Sequence, residues 1–334
     1  MTREKPSVFV LGTGGTITMD GPSRWDLVDY AHRGRRVGIE ELVSTIPELE
    51  RVAQVTAREL TANNSLGFTS QDWLRWAETI TQLATDEQPD GFVIVHGTAS
   101  LEEAAYFLSL VLKIPQPVVF VGAQRPFSGL SSDGFLNLYN GVTAAASPVM
   151  KETGVTVAFN EQIHTARDVT KAINHRVEAF QSRTYGPVGY VESGGVVDVA
   201  RRMIRRYGTE TPFELSKISA LPRVDIAYSY AEADGTAIDA FIRAGAQGVV
   251  CAGFAPGRLT PAEEAAASEA IANGIAIVQA SRSGAGRVLA RQAAAERGFI
   301  LANDLIPQKA RILLALALTQ TRSNAEIQAL FDSC

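Results

Sequence analysis

Cysteine is nearly missing from this chain, whose 334 residues hold two: Cys251 inside an apolar run and Cys334 at the last position. Two such positions exclude a disulfide framework, and neither has the spacing of a metal or redox motif. Histidine is almost as sparse. His32, His96, His164 and His175 stand at no metal-ligand spacing, so neither a metal nor another cofactor is expected. Positive charge is not in excess either, since the formal net charge is −5, which argues against a partner gripped through a basic surface, nucleic acid above all. Of two basic runs, Arg33-Gly34-Arg35-Arg36 and Arg201-Arg202-Met203-Ile204-Arg205-Arg206, the second reads as a solvated helix face. No apolar run reaches the length that spans a bilayer, so no membrane partner is expected. Residues 1–6 lead directly into a strand pattern with no room for a signal peptide's apolar region, so the cytoplasm is the expected compartment.

Apolar side chains, by contrast, make up 46% of the chain, enough for a large core and, at this length, for two domains. The run Val8-Phe9-Val10-Leu11 breaks into Gly12-Thr13-Gly14-Gly15-Thr16, the pattern of a strand buried on both faces that ends in a tight turn. Residues 91–98 repeat the theme and end in His96-Gly97-Thr98, and residues 118–121 lead into Gly122-Ala123-Gln124-Arg125-Pro126. Between them, Thr69-Ser70-Gln71-Asp72 reads as a capping box for a helix with Trp73, Trp76, Ile80 and Leu83 on its apolar face. A second helix start follows Thr98 at Ser100-Leu101-Glu102-Glu103, and a third helix runs through Leu136, Tyr139, Val142 and Ala145. Residues 19–37 have neither period and are expected to form a loop that closes over a ligand as a lid.

Strands alternating with helices mean a parallel sheet covered on both faces, with its ligand crevice at the strands' carboxyl ends. After an irregular stretch containing Pro212 and Pro222, residues 226–230, 249–252 and 275–278 are further strands among Ala-rich helices. The expected fold is therefore α/β in two domains. A larger N-terminal domain with a doubly wound, mainly parallel sheet spans residues 1–200, a linker spans 201–222, and a smaller C-terminal α/β domain spans 223–334.

The glycine-rich turn is not a dinucleotide fingerprint, because the third glycine would have to stand at Ile17, and no Gly-Lys-Thr or Gly-Lys-Ser marks a phosphate loop. Two strand-end threonines and Lys171, within Arg167-Asp168-Val169-Thr170-Lys171, suggest instead a hydroxyl nucleophile with a proton relay. Lysine serves as a base when burial lowers its pKa. Composition and spacing alone do not bring these three residues together.

Thr13-Gly14-Gly15-Thr16-Ile17, His96-Gly97-Thr98, the Gly122 to Pro126 run with Ser132-Asp133-Gly134 and Asn137-Leu138, and Arg167 to Lys171 together resemble the bacterial L-asparaginase/glutaminase family. The similarity extends to Pro307-Gln308-Lys309-Ala310-Arg311 near the end. It implies an amidohydrolase in which Thr16 is acylated, Thr98 and Lys171 form the relay, and Tyr30 or the equally placed His32 is the lid residue. It also implies a two-domain fold and a homotetramer built from dimers, whose sites borrow residues from a neighbour's small domain.

The departures from the family bear on the substrate. Gly15 and Gly97 are retained at the substrate-binding turns, as is Ser65 for a substrate carboxylate. Where the family has an acidic residue after the relay threonine this chain has Ala99, and where it has Gln after the serine this chain has Leu66. The Asn and Glu that the family supplies from the small domain align with Pro256 and Arg291. These four positions grip an amino acid's α-ammonium, and a buried ammonium without partners costs several kcal/mol. The expected substrate is a small carboxylate-bearing amide, or a cyclic amide or imide, without a free α-amino group, its carboxylate met by Ser65 with Arg291 or the lid arginines.

The alternative is an L-asparaginase/glutaminase that holds the ammonium through Glu161 or Asp133. An ammonia-producing amidotransferase subunit fits less well, because that role predicts a basic face and an appended RNA-contacting domain. A ligand-binding relative without catalysis is disfavoured by the joint presence of Thr16, Thr98 and Lys171.

Overall fold

In the computed structural model, which describes residues 5–61, 66–201 and 208–334, the apolar runs become strands of two separate sheets. The chain divides into two units between Leu215 and Ser216.

In the first unit five parallel strands, Ser7–Gly12, Gln54–Glu59, Gly91–Val95, Val118–Val121 and Val155–Phe159, form most of the sheet. Strands Gln162–Thr165, Gly189–Glu192 and Val196–Val199 extend it antiparallel, to eight strands among the described residues. The sheet changes direction at a hairpin whose two turn residues, Asn160 and Glu161, have φ of 50° and 66°. Two successive left-handed residues twist a hairpin the way its strands twist. The usual Asn-Gly signal is absent, which is why the sequence does not announce this turn.

Side chains alternate across the strands with a period of two, and both faces are buried. Val8, Val10, Val93, Val95, Val119 and Val121 share one core with helices Ile39–Ser44 and Gly134–Ala146. Each such valine contributes roughly 1.5–3 kcal/mol when fully buried. Leu136 does not join this core, being 52% exposed while Leu138 and Val142 take the inward side. Phe9, Phe92 and Phe120 are the intervening residues, and Phe120 lies in a ring cluster with Trp76 of helix Ser70–Asp86. That helix begins with the capping box of Thr69 and Asp72, and its tryptophans are core. Helix Leu101–Val111 packs beside it.

Spatial order decides where a site can form. Strand Ser7–Gly12 lies between Gln54–Glu59 and Gly91–Val95, so the chain passes over its own first strand between the second and third. A crevice opens at the carboxyl ends of strands at such a reversal. The register is fixed there by Thr13, whose N–H donates to the Val95 carbonyl at 2.9 Å, and by His96, whose N–H donates to the Val121 carbonyl at 2.9 Å. Three turns therefore leave the sheet side by side.

Residues 19–37 are more ordered than a loop. Met19–Asp20 pairs antiparallel with Arg35–Arg36, and a single helical turn, Tyr30–Arg33, lies between them. Elements this short have no period to read. The segment is pinned by Gly21 N–H to Ser128 Oγ (2.7 Å) and Leu130 N–H to the Arg24 carbonyl (2.8 Å).

The second unit is a parallel sheet of Val224–Tyr228, Gly248–Gly253, Ala276–Ser281 and Ile300–Leu301 in sequence order. Helices Thr236–Arg243 and Pro261–Ala272 cover one face, and Pro307–Ala317 packs on the strands as well. Cys251 faces the first of these cores. Burial pushes its thiol up to about 12, so it is an inert apolar residue.

Candidate active site

Gly14 and Gly15 leave the first strand with φ of 95° and 105°, a region that side chains avoid. A Cβ on Gly15 would lie 2.2 Å from the Gly97 Cα and 2.5 Å from its nitrogen. The turns of Thr16 and Thr98 thus meet backbone to backbone, which the glycine at position 15 permits. Thr13 donates its hydroxyl to the Val95 carbonyl (3.0 Å), and Thr18 donates its own to the Gly15 carbonyl (2.9 Å), closing the single turn Thr16–Thr18. Thr16 differs. Its Oγ1 is 2.8 Å from the phenolic oxygen of Tyr30, brought over by the helical turn of the lid. His32, on the same turn, points to solvent.

Thr98 is buried, and Lys171 Nζ donates to its Oγ1 at 2.9 Å. Lys171 ends the strand Val169–Lys171, which pairs antiparallel with Phe180–Ser182. Its own backbone N–H donates to the buried carboxylate of Glu102 at 2.5 Å, in the first turn of the helix that follows Thr98. Burial holds the Lys171 ammonium below its ordinary pKa, with the charge of Glu102 opposing. A lysine so placed gives up and takes back a proton more readily than a solvated one.

Beneath Thr98, His96 Nδ1–H donates to the Gly97 carbonyl at 2.7 Å, the carbonyl being able only to accept. Phe68, Trp76 and Phe120 surround its ring. Burial pushes its pKa down to about 4, so the imidazole is neutral and acts as a prop for the turn.

The third turn is held by Asp133. Its carboxylate accepts from the N–H of Gln124 (3.0 Å) and of Arg125 (2.9 Å), and from Asn137 Nδ2 (3.2 Å). Asn137 also donates to the Gly122 carbonyl at 3.0 Å. Asp133 thereby braces the third turn. Glu161 occupies the left-handed hairpin turn, exposed. Of the lid arginines, Arg35 and Arg36 make ion pairs within the chain. Arg35 is paired with Asp20 and Glu41, and Arg36 with Glu59 at 2.8 Å through one nitrogen, while its Nη1 is buried without a hydrogen-bond partner among the described residues.

Ser65 lies outside the described residues, as does the basic run from Arg202 onward. Leu66 is 78% exposed, and Ala99 presents only a methyl group just after Thr98. Pro256 and Arg291 belong to the second unit. Pro256 follows a cis bond from Ala255, and Arg291 precedes helix Gln292–Glu296 at the edge of a cavity of about 530 Å³ that Arg287 also borders. The residue that sequence reasoning passed over is Glu102, taken there only as part of a helix start. An acidic residue on a wholly buried helix face was the available signal.

The family model for the asparaginase N-terminal domain matches residues 7–205, and that for the glutaminase/asparaginase C-terminal domain matches residues 223–331. L-asparaginase 2 of Escherichia coli (strain K12) is 40% identical over 98% of this chain and 93% of its own length. Glutaminase-asparaginase of Pseudomonas fluorescens biotype A is 38% identical over 97% of this chain and 90% of its own. The crystal structure of the probable cytoplasmic L-asparaginase from Campylobacter jejuni has a TM-score of 0.92 with this one, at 37% identity, over 99% of this chain and 100% of that one. With both domains matched in order and turns that suit acyl transfer from an amide, this chain belongs to the asparaginase family, hydrolases acting on amide carbon–nitrogen bonds.

Proposed function

We propose that Thr16 is the nucleophile of this amidohydrolase and that its substrate is a small carboxylate-bearing amide, or a cyclic amide or imide, without a free α-amino group. The observation that carries the first half is the contrast within one turn. The hydroxyls of Thr13 and Thr18 are spent on backbone carbonyls, whereas that of Thr16 meets the Tyr30 hydroxyl. Thr16 Oγ attacks the amide carbon while its proton passes to the Thr98–Lys171 pair, directly or through the Tyr30 hydroxyl, which gives up its own proton as it takes one. The N–H groups around Thr98 and Ala99 stabilise the oxyanion. Collapse expels the amine, which takes the proton, and leaves an ester on Thr16. Water, deprotonated by the same relay, then releases the acid.

The substrate half rests on the carboxylates at that edge of the sheet. Glu59 serves Arg36 and the Ile39 N–H, Glu102 serves the Lys171 N–H, and Asp133 serves the third turn. Ala99 adds none. Ser65 is the residue assigned to the substrate carboxylate, with Gly15 and Gly97 lining the turns and Leu66, Pro256 and Arg291 replacing the grip on an ammonium. Delivery of Pro256 and Arg291 to a neighbour's site belongs to a homotetramer of dimers, which we propose together with a cytoplasmic location like that in the name of the Campylobacter protein.

The names of the relatives favour a second reading, L-asparagine or glutamine as the substrate itself. Both readings share the ester. Mass spectrometry of protein quenched during turnover is expected to find the acyl group on the peptide that holds Thr16. An adduct confined to Thr98 would reverse the assignment.

A further inference from the structure

We infer that Glu102 is the positioning carboxylate of the relay, anchoring Lys171 against Thr98 and favouring its ammonium form during the proton transfer. The inference rests on the reading of Thr98 and Lys171 as that relay. Three observations lead to it.

The first is geometric. Lys171 is bonded at both ends, its Nζ to Thr98 Oγ1 at 2.9 Å and its backbone N–H to Glu102 Oε2 at 2.5 Å. The second is burial: Glu102 is 7% exposed, on a helix whose other residues are almost all buried, and a carboxylate kept there needs a cationic or hydrogen-bonding reason. The third is position. Glu102 stands four residues after Thr98, in the first turn of the helix that the Thr98 turn leads into, so the turn that carries the relay hydroxyl runs directly into the helix that carries the carboxylate. The residue directly after Thr98 is Ala99, which has no charge to offer.

Other charged or titratable groups border the Lys171 strand. Glu103 follows Glu102 on the helix, Glu178 pairs with Arg176, Arg183 donates to the Ala172 carbonyl, Asp168 accepts from the Tyr185 N–H, and His164 contacts Ser182. Glu102 is the one among the described residues whose carboxylate is bonded to Lys171 itself and whose charge opposes the effect of burial on it.

Neutral Lys171 is the form that accepts the proton of Thr98, so activity rises with pH through the lysine's pKa. The negative charge of Glu102 holds that pKa up against burial. Removing the charge lets it fall, and the acidic limb of the profile moves to lower pH.

The test is the pH dependence of kcat/KM for ammonia release, from whichever of L-asparagine and succinamic acid the wild type turns over faster. In Glu102→Gln, which keeps an acceptor for the Lys171 N–H, the acidic limb is expected to shift down by on the order of one pH unit. A lower rate with the limb unmoved would make Glu102 a hydrogen-bonding strut only and overturn the inference. If Glu102→Gln does not fold, Glu102→Asp carries the same test, because it draws the charge back by one methylene and should shift the limb in the same direction by less. An unmoved limb in folded Glu102→Asp overturns the inference equally. Lys171→Met separates the two readings. Loss of activity there with an unmoved limb in the Glu102 variants sinks only the role of Glu102, whereas retained activity in Lys171→Met sinks the relay itself.

Discussion

Thr16 and Tyr30 sit on segments that the sequence treats differently, one in a glycine-bounded turn and one in a stretch without period. Their oxygens are nonetheless 2.8 Å apart. Tyr30→Phe removes one hydroxyl and little volume, and is expected to lower kcat by roughly 10²-fold, the lower end for a proton-transfer partner, with stability nearly unchanged. A variant with wild-type kcat would leave Tyr30 as a cover only. His96 makes a different prediction, about acid stability. Its pKa is about 4 in the folded chain against 6.5 for an ordinary histidine, so below pH 6.5 the unfolded state takes up a proton that the folded state refuses. Stability should therefore fall as pH drops from about 6.5 toward 4, by about 3 kcal/mol in all at ~1.4 kcal/mol per pKa unit. Denaturant titrations of wild type and His96→Gln at several pH values check this. An equal slope in both proteins would show that the loss arises elsewhere.

Among the elements, the strand-end turns were the most legible part of the chain. Glycine next to a buried apolar run has few meanings, and Gly15 and Gly97 turn out to be the point where two turns touch. Gly15→Ala places a methyl group against the Gly97 backbone at a φ of 105°, and is expected to cost about 1–3 kcal/mol while separating the Thr16 and Thr98 turns. Melting curves and ammonia assays of the variant follow both effects. A fully active, equally stable Gly15→Ala would mean that the contact is dispensable. What the sequence hid were the short pieces: the two-residue strands of the lid, the three-residue strand that carries Lys171, and the hairpin at Asn160 and Glu161. Pieces of two or three residues have no period, and their partners are distant in sequence. For the same reason Tyr30 and His32 could be told apart only by where the lid's single helical turn points each of them.

At the level of the whole molecule, two α/β units and a net negative charge were readable because core burial and net charge are sums that survive local ambiguity. The substrate is not such a sum. It depends on the charge at a few positions, and the same turns serve any amide whose remainder fits beside them. Here Ala99 is neutral, and the carboxylates of Glu59, Glu102 and Asp133 are engaged by the chain's own groups. On the proposed reading, an α-ammonium would enter such a site at a cost of several kcal/mol, whereas the same molecule without it would not. Ammonia release from L-asparagine and from succinamic acid, its analogue without the amino group, tests this most directly, with Thr16→Ala as the blank. Succinamic acid is predicted to be the better substrate by kcat/KM. Efficient turnover of L-asparagine with little of succinamic acid would contradict the assignment and point to an acceptor for the ammonium that these residues do not supply.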